Sequence, residues 1–117
     1  GGTQRLHRFV NLGWAMQLVL TGEAVDAETA RSIGLVTEVT SQQKLFPRAL
    51  ELARMLGERA PLAFVAGRDA VLRSTESDLM TGIDYERKLY AMLMATEDRN
   101  EGLAAFRENR APVYKGR

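Results

Sequence analysis

The amino-acid sequence predicts a mainly α-helical protein with one short strand. Through most of the 117 residues, apolar side chains recur every three or four positions, which is the spacing of one helix face. Residues that favour helix ends, such as Asp26 and Thr96, separate these apolar stretches. Only the segment 35–39, Leu-Val-Thr-Glu-Val, is rich in β-branched residues, and it is therefore the one predicted strand.

The N-terminal helical stretch, 3–21, carries apolar residues around much of its circumference, so we expect it to be largely buried. Asn11 and Gly13 are expected to divide it into a short helix and a longer one. Gly22 follows as the glycine that ends the longer helix.

The next predicted elements are a short helix, capped by Asp26 and ended by Gly34, and the strand at 35–39. A single strand cannot satisfy its own backbone hydrogen bonds. Partner strands are therefore expected outside these 117 residues.

The remaining sequence predicts helices joined by short connections, as in an antiparallel helical layer. The predicted boundary residues are Gly57 at the end of one helix, Pro61 at the start of the next, Asp78 or Ser77 as a cap, Thr96 as the last cap, and Pro112 as the stop. Two domains are predicted: 1–57, which holds the strand, and 58–117, which is purely helical.

Composition excludes several classes of protein. With 16 basic and 15 acidic residues the net charge is +1, which gives no reason to expect a nucleic acid or a membrane surface as partner. The absence of Cys excludes disulfides, thiolate nucleophiles and Cys-based metal sites, and it fits the cytoplasmic location we expect. The first residues lack the pattern of a signal peptide, and no apolar run approaches the roughly 18 residues of a membrane span.

Few residues are suited to catalysis or metal binding. His7 is the single histidine, and a typical metal site needs three or four ligands. The carboxylates Glu97, Asp98 and Glu101 alternate with basic residues, which is typical of a solvated, salt-bridged helix surface. Residue types and spacing alone therefore favour a surface histidine and a solvated helix face over a catalytic or metal-binding role.

Two features allow either a structural or an anion-binding interpretation. Gly1 and Gly2 form a turn that leads into a helix N-terminus, where an anion can bind, but a simple tight turn explains them equally well. The tail 107–117 carries four cations and one anion. Those cations favour a helix C-terminus, and a bound phosphate is the alternative.

An ordered set of motifs runs along the whole chain. It comprises Gly-Gly-Thr-Gln-Arg-Leu at 1–6, Leu-Thr-Gly at 20–22, Ala-Glu-Thr-Ala at 27–30, Gly-Leu-Val at 34–36, Ala-Thr-Glu-Asp at 95–98, Glu-Gly at 101–102 and Arg-Ala-Pro-Val-Tyr-Lys-Gly at 110–116. In this order the motifs resemble the C-terminal half of the enoyl-CoA hydratase/isomerase (crotonase) family.

The resemblance implies the C-terminal part of a crotonase (ClpP/crotonase-like) α/β fold, in which 58–117 is a helical trimerisation region. It also implies that two catalytic glutamates, and two backbone N–H groups that stabilise an enolate-like charge, lie upstream of Gly1. No catalytic residue is then expected in this chain.

The resemblance further implies contacts with coenzyme A, which belongs to the substrate, so no separate cofactor is expected. Gly1 and Gly2 match a turn that lines the reaction pocket, and Tyr90 matches an aromatic residue that holds the adenine. Asn109 stands where hydratases have a phosphate-binding Lys, and Arg107 or Arg110 is the predicted substitute.

The resulting prediction is the C-terminal portion of a protein that reversibly hydrates 2-enoyl-CoA thioesters in fatty-acid or branched-chain acyl-CoA metabolism. Its expected partners are an acyl-CoA and further copies of itself, as a trimer or a dimer of trimers. The alternative is a free-standing, non-catalytic helical association module. Nucleic-acid binding is disfavoured, because no aromatic residues interleave with the basic tail.

Overall fold

The structure, a computed structural model, describes residues 1–117 and is all-helical. It has a 3-10 turn at Leu6–Arg8 and seven α-helices: α1 (Gly2–Arg5), α2 (Leu12–Thr21), α3 (Ala27–Ser32), α4 (Gln42–Gly57), α5 (Pro61–Arg73), α6 (Leu79–Met94) and α7 (Glu97–Glu108). The chain forms two compact units, Gly1–Pro47 and Arg48–Arg117. The mainly α prediction is confirmed.

Helix ends follow the sequence signals closely. The predicted break near Asn11 is the start of α2, where the Asn11 side chain accepts a hydrogen bond from the Trp14 N–H at 2.9 Å. Asp26, Asp78 and Thr96 cap α3, α6 and α7 in the same way. Such caps form because the first N–H groups of a helix have no partner within the helix.

The strand predicted at 35–39 is wrong, because the structure contains no strand. The N–H groups of Leu35 and Val36 donate to the Ala30 carbonyl, at 2.9 and 3.3 Å, and so complete the end of α3. Gly34 permits this turn with a φ of 84°, and a Cβ there would lie 3.1 Å from the Phe9 carbonyl oxygen. With no second extended segment to pair with, the β-branched residues remain irregular.

Very few apolar side chains are buried by the chain itself. Only Val10, Ala15, Ala30 and Ala105 are buried, and the expectation that 3–21 is largely buried is wrong, since Leu20 is 73% exposed. The chain exposes 9402 Å² of surface, whereas a compact monomer of this mass exposes about 6,300 Å². The apolar faces of the helices therefore lack covering partners within these residues.

In the second unit, α5 and α6 pack side by side in opposite directions, with Leu62 near the start of α5 and Leu93 near the end of α6 lining one cavity. The Tyr85 hydroxyl donates to the Asp69 carboxylate, which raises the pKa of Tyr85. The Arg73 guanidinium lies 5.6 Å from the centre of the Tyr85 ring. None of the seven helices is long and apolar enough to cross a membrane.

Candidate functional site

Residues 111–117, here named the C-terminal strap, fold back along α7. Asp98, the second residue of α7, is only 3% exposed, and its two carboxylate oxygens accept the N–H groups of Lys115 at 2.6 Å and Gly116 at 2.8 Å. Its own N–H donates to the Arg117 carbonyl at 3.0 Å. The prediction that this carboxylate belongs to a solvated surface is therefore wrong, because strap backbone replaces water around it.

Glu101, one helical turn further along α7, holds the other end of the strap. Its carboxylate accepts two hydrogen bonds from the Arg110 guanidinium, at 2.5 and 3.0 Å, and one from the Val113 N–H at 2.8 Å. These donors, Arg110 foremost, lower the pKa of Glu101 from 4.5 to about 2. Arg110 also donates to Glu108 at 2.6 Å, so its charge is shared between two carboxylates.

A groove of about 450 Å³ lies between the strap and the helices of the second unit. Its lining includes Tyr90 on α6, Leu62 on α5 and Tyr114 on the strap. Tyr90 is 62% exposed, so its side chain is accessible to a ligand. Gly102 of α7 lets the Tyr114 ring approach, since a Cβ at that position would lie 3.2 Å from the Tyr114 hydroxyl oxygen.

The five residues predicted to bind substrate are distributed over both units. Gly1 and Gly2 are exposed at the start of α1, where the Gly1 carbonyl accepts the Arg5 N–H at 3.0 Å. Tyr90 lies in the groove of the second unit, and Arg107 is exposed on α7 without an ion pair. Arg110 is the least available of the five, because Glu101 and Glu108 already bind its guanidinium.

Asn109 follows the end of α7 in a left-handed conformation, with φ at 52°. Asn adopts this conformation more readily than other side-chain-bearing residues. The local backbone conformation therefore explains why Asn is suitable at this position. Compared with the Lys that the resemblance implies here, Asn109 leaves the C-terminal region with one cation fewer.

Sequence reasoning missed the roles of Asp98, Glu101, Gly102 and Tyr114. The signal present in the sequence was the pair of carboxylates at i and i+3 in the first turns of α7, which places both on one helix face. The pairing of that face with the strap joins residues up to 19 positions apart, Asp98 and Arg117, and helical periodicity carries no information about it. No group of three or more His, Asp or Glu side chains in the structure is arranged to hold a metal ion.

Comparison with known proteins gives a match over the entire chain. The family model for enoyl-CoA hydratase/isomerase matches residues 1–117. The chain is 43% identical to 2,3-dehydroadipyl-CoA hydratase of Escherichia coli over 117 residues, which is 100% of this chain and 46% of that protein. It is 38% identical to the mitochondrial methylglutaconyl-CoA hydratase of Mus musculus, covering 99% of this chain and 38% of the relative.

The solved structures agree with the sequence matches. The crystal structure of an enoyl-CoA hydratase from Bacillus anthracis superposes with a TM-score of 0.96 at 38% identity, covering 100% of this chain and 45% of that one. The chain thus spans less than half the length of these relatives and corresponds to a C-terminal portion of them. Matched along its whole length in sequence and in backbone, the chain belongs to the enoyl-CoA hydratase/isomerase family.

Proposed function

We propose that this chain is the supporting part of an enzyme that reversibly hydrates 2-enoyl-CoA thioesters, with the catalytic glutamates and the thioester-binding N–H groups upstream of Gly1. The observation that carries the proposal is the match over all 117 residues to proteins named as CoA hydratases, of which the chain spans less than half. In this proposal the chain contributes coenzyme A contacts and assembly, and no catalytic residue.

The exposed ring of Tyr90 supports the coenzyme A contact. An aromatic face that lines an open groove suits stacking of a planar base such as adenine. Arg107 is the better of the two predicted phosphate contacts, because Arg110 is already paired with two carboxylates. Gly1 and Gly2 are proposed to line the pocket near the reacting thioester.

Exposed apolar side chains support a role in assembly. In the second unit, α5 and α6 expose large apolar residues that include Val71 at 69%, Leu79 at 75% and Met92 at 69%. Covering one such side chain contributes about 1.5–3 kcal/mol. We propose that the rest of the fold and further copies of the protein cover these faces, with 58–117 as the trimerisation region of a trimer or a dimer of trimers.

The second candidate function is a free-standing, non-catalytic association module. The same exposed apolar faces favour it, because copies of this chain alone can cover them. The two candidates differ in coenzyme A binding, which only the first requires.

The relatives include a bacterial protein and a mitochondrial one, so the family occurs in more than one compartment. We propose a cytoplasmic location because the chain has no Cys. Fractionation of the source cells followed by immunoblotting tests this proposal.

The test uses the purified 117-residue chain. Light scattering gives its mass in solution, a spectroscopic assay follows crotonyl-CoA hydration, and calorimetry measures coenzyme A binding to the native sequence and to Tyr90→Ala. We expect no hydration by the chain alone and an affinity about tenfold lower for Tyr90→Ala, since aromatic–base stacking contributes about 1–3 kcal/mol. Phe106→Ala is the matched control, because Phe106 is 87% exposed and lies outside the groove lining.

Each outcome separates the candidates. Turnover by the chain alone contradicts the upstream position of the glutamates. Equal affinity of the native chain and Tyr90→Ala contradicts the role of the groove. A stable oligomer without coenzyme A affinity supports the association module, whereas a folded monomer argues against that module.

A further inference from the structure

Tyr114 is a residue of the strap, and its side chain also lines the groove. Four hydrogen bonds join α7 to the strap backbone, and all of them involve Asp98 or Glu101. These bonds reach Val113 on one side of Tyr114 and Lys115 on the other. The backbone is therefore anchored immediately before and after the residue whose ring lines the groove.

We infer that Asp98 and Glu101 are positioning residues that hold the strap so that Tyr114 forms one wall of the groove containing Tyr90. The inference rests on the proposed function in one respect, namely that the groove takes the nucleotide part of coenzyme A. Glu101 lies outside the groove lining and acts through the strap alone, whereas Asp98 both holds the strap and lies at the edge of the groove.

Asp98 has the stronger hold. It is almost fully buried, and three of the four hydrogen bonds between α7 and the strap backbone involve it. An Asn at this position keeps the size of the side chain but points an amide N–H₂ at one of two backbone N–H donors. That substitution therefore removes one anchor and sets two donors against each other.

The strap also lies close to groups other than the two carboxylates, at Gly102 of α7 and near Pro61 of α5. Gly116 adopts a left-handed φ of 73°, and a Cβ there would lie 3.5 Å from Pro61 of α5. If these contacts alone position Tyr114, removing a carboxylate leaves the ring in place. The experiment is designed to separate these two cases.

The variants are Asp98→Asn, Glu101→Gln and, as the matched control, Asp84→Asn, which removes an exposed carboxylate paired with Arg87. Nuclear magnetic resonance on the full chain measures the contact between the Tyr114 ring and the Gly102 Hα, and amide exchange at Lys115 and Gly116. For Asp98→Asn we expect loss of the contact and exchange at least about tenfold faster, which corresponds to about 1.4 kcal/mol. For Glu101→Gln we expect a smaller acceleration that starts at Val113, and for Asp84→Asn no change.

Coenzyme A titration provides the second readout. We expect Asp98→Asn to weaken binding by about five- to tenfold, Tyr114→Ala to weaken it equally, and Tyr114→Phe to retain native affinity because the ring remains. Tyr114→Ala leaves the carboxylates intact, so it tests the wall even if Asp98→Asn does not fold.

Three results would overturn the inference or its premise. An unchanged ring contact and unchanged exchange in Asp98→Asn show that the carboxylates do not position the strap. A loosened strap with native coenzyme A affinity shows that Tyr114 is not a wall of the binding groove. A native chain that binds no coenzyme A contradicts the proposed function, while the resonance data still decide whether Asp98 positions Tyr114.

Discussion

Gly102 has no side chain at the point where α7 meets the ring of Tyr114. In the middle of a helix, Gly is less favourable than Ala by about 1 kcal/mol, so its presence calls for a local reason. The geometry supplies one, since an added Cβ would lie 3.2 Å from the Tyr114 hydroxyl oxygen but 3.7 Å from the nearest ring carbon. The hydroxyl alone makes the approach too close.

A double-mutant cycle tests this explanation. We expect Gly102→Ala to be neutral or destabilising in the native chain, because the gain in helix propensity is offset by displacement of Tyr114. In a Tyr114→Phe background, the same substitution should stabilise the protein by about 0.5–1 kcal/mol. Denaturant unfolding of the four proteins measures the coupling, and equal effects of Gly102→Ala in both backgrounds would contradict the contact.

At the scale of elements, the attachment of the strap to α7 depends on the protonation state of Glu101. The Glu101 carboxylate must be ionised to hold the strap. The folded pKa of Glu101 is about 2, below its ordinary value of 4.5, chiefly because of Arg110. A depressed folded pKa means that this stabilisation is fully present above pH 4.5 and is lost as the pH falls from 4.5 towards 2. The Glu101 end of the strap is therefore acid-sensitive.

The expected result is an amide exchange rate at Val113 that, after correction for intrinsic exchange, rises as the pH falls below 4.5. Glu101→Gln should show fast exchange throughout, with no such transition. Resonance titration of the Glu101 side chain gives the midpoint directly. A midpoint near 4.5 would contradict the Arg110 ion pair as the main contact of this carboxylate.

The sequence predicted the helix ends better than the packing between segments. Capping is local: the Asp78 side chain bonds the Thr81 N–H three residues away, so a short sequence window contains the whole interaction. The prediction of a strand at 35–39 was wrong because a strand needs a partner strand. Instead, the first N–H groups of the segment donate to the Ala30 carbonyl at the end of α3. Tyr90 was identified through the family resemblance alone, whereas the strap contacts of Asp98 are long-range and carry no periodic signal.

For the whole molecule, the exposed surface is the most informative quantity. The chain buries four apolar residues, three of them Ala, while aromatic and aliphatic side chains such as Phe106 and Leu79 remain more than 70% exposed. Surface of this kind is covered in a functioning protein, either by other parts of the fold or by other copies. The chain belongs to the enoyl-CoA hydratase/isomerase family and matches less than half of each relative. In our proposal, the rest of the fold and further copies of the protein therefore cover the exposed apolar surface.

The most direct test of this account is the 2,3-dehydroadipyl-CoA hydratase activity of a chimera. In the Escherichia coli relative, the segment matched by this chain is replaced by these 117 residues, and the unaltered relative serves as the control. We expect an assembled, active hydratase in which Tyr90→Ala raises KM about tenfold and leaves kcat within about threefold, because the chain supplies binding and no catalytic group. An assembled chimera without activity, or one whose kcat falls with KM unchanged when Tyr90 is replaced, would contradict the account.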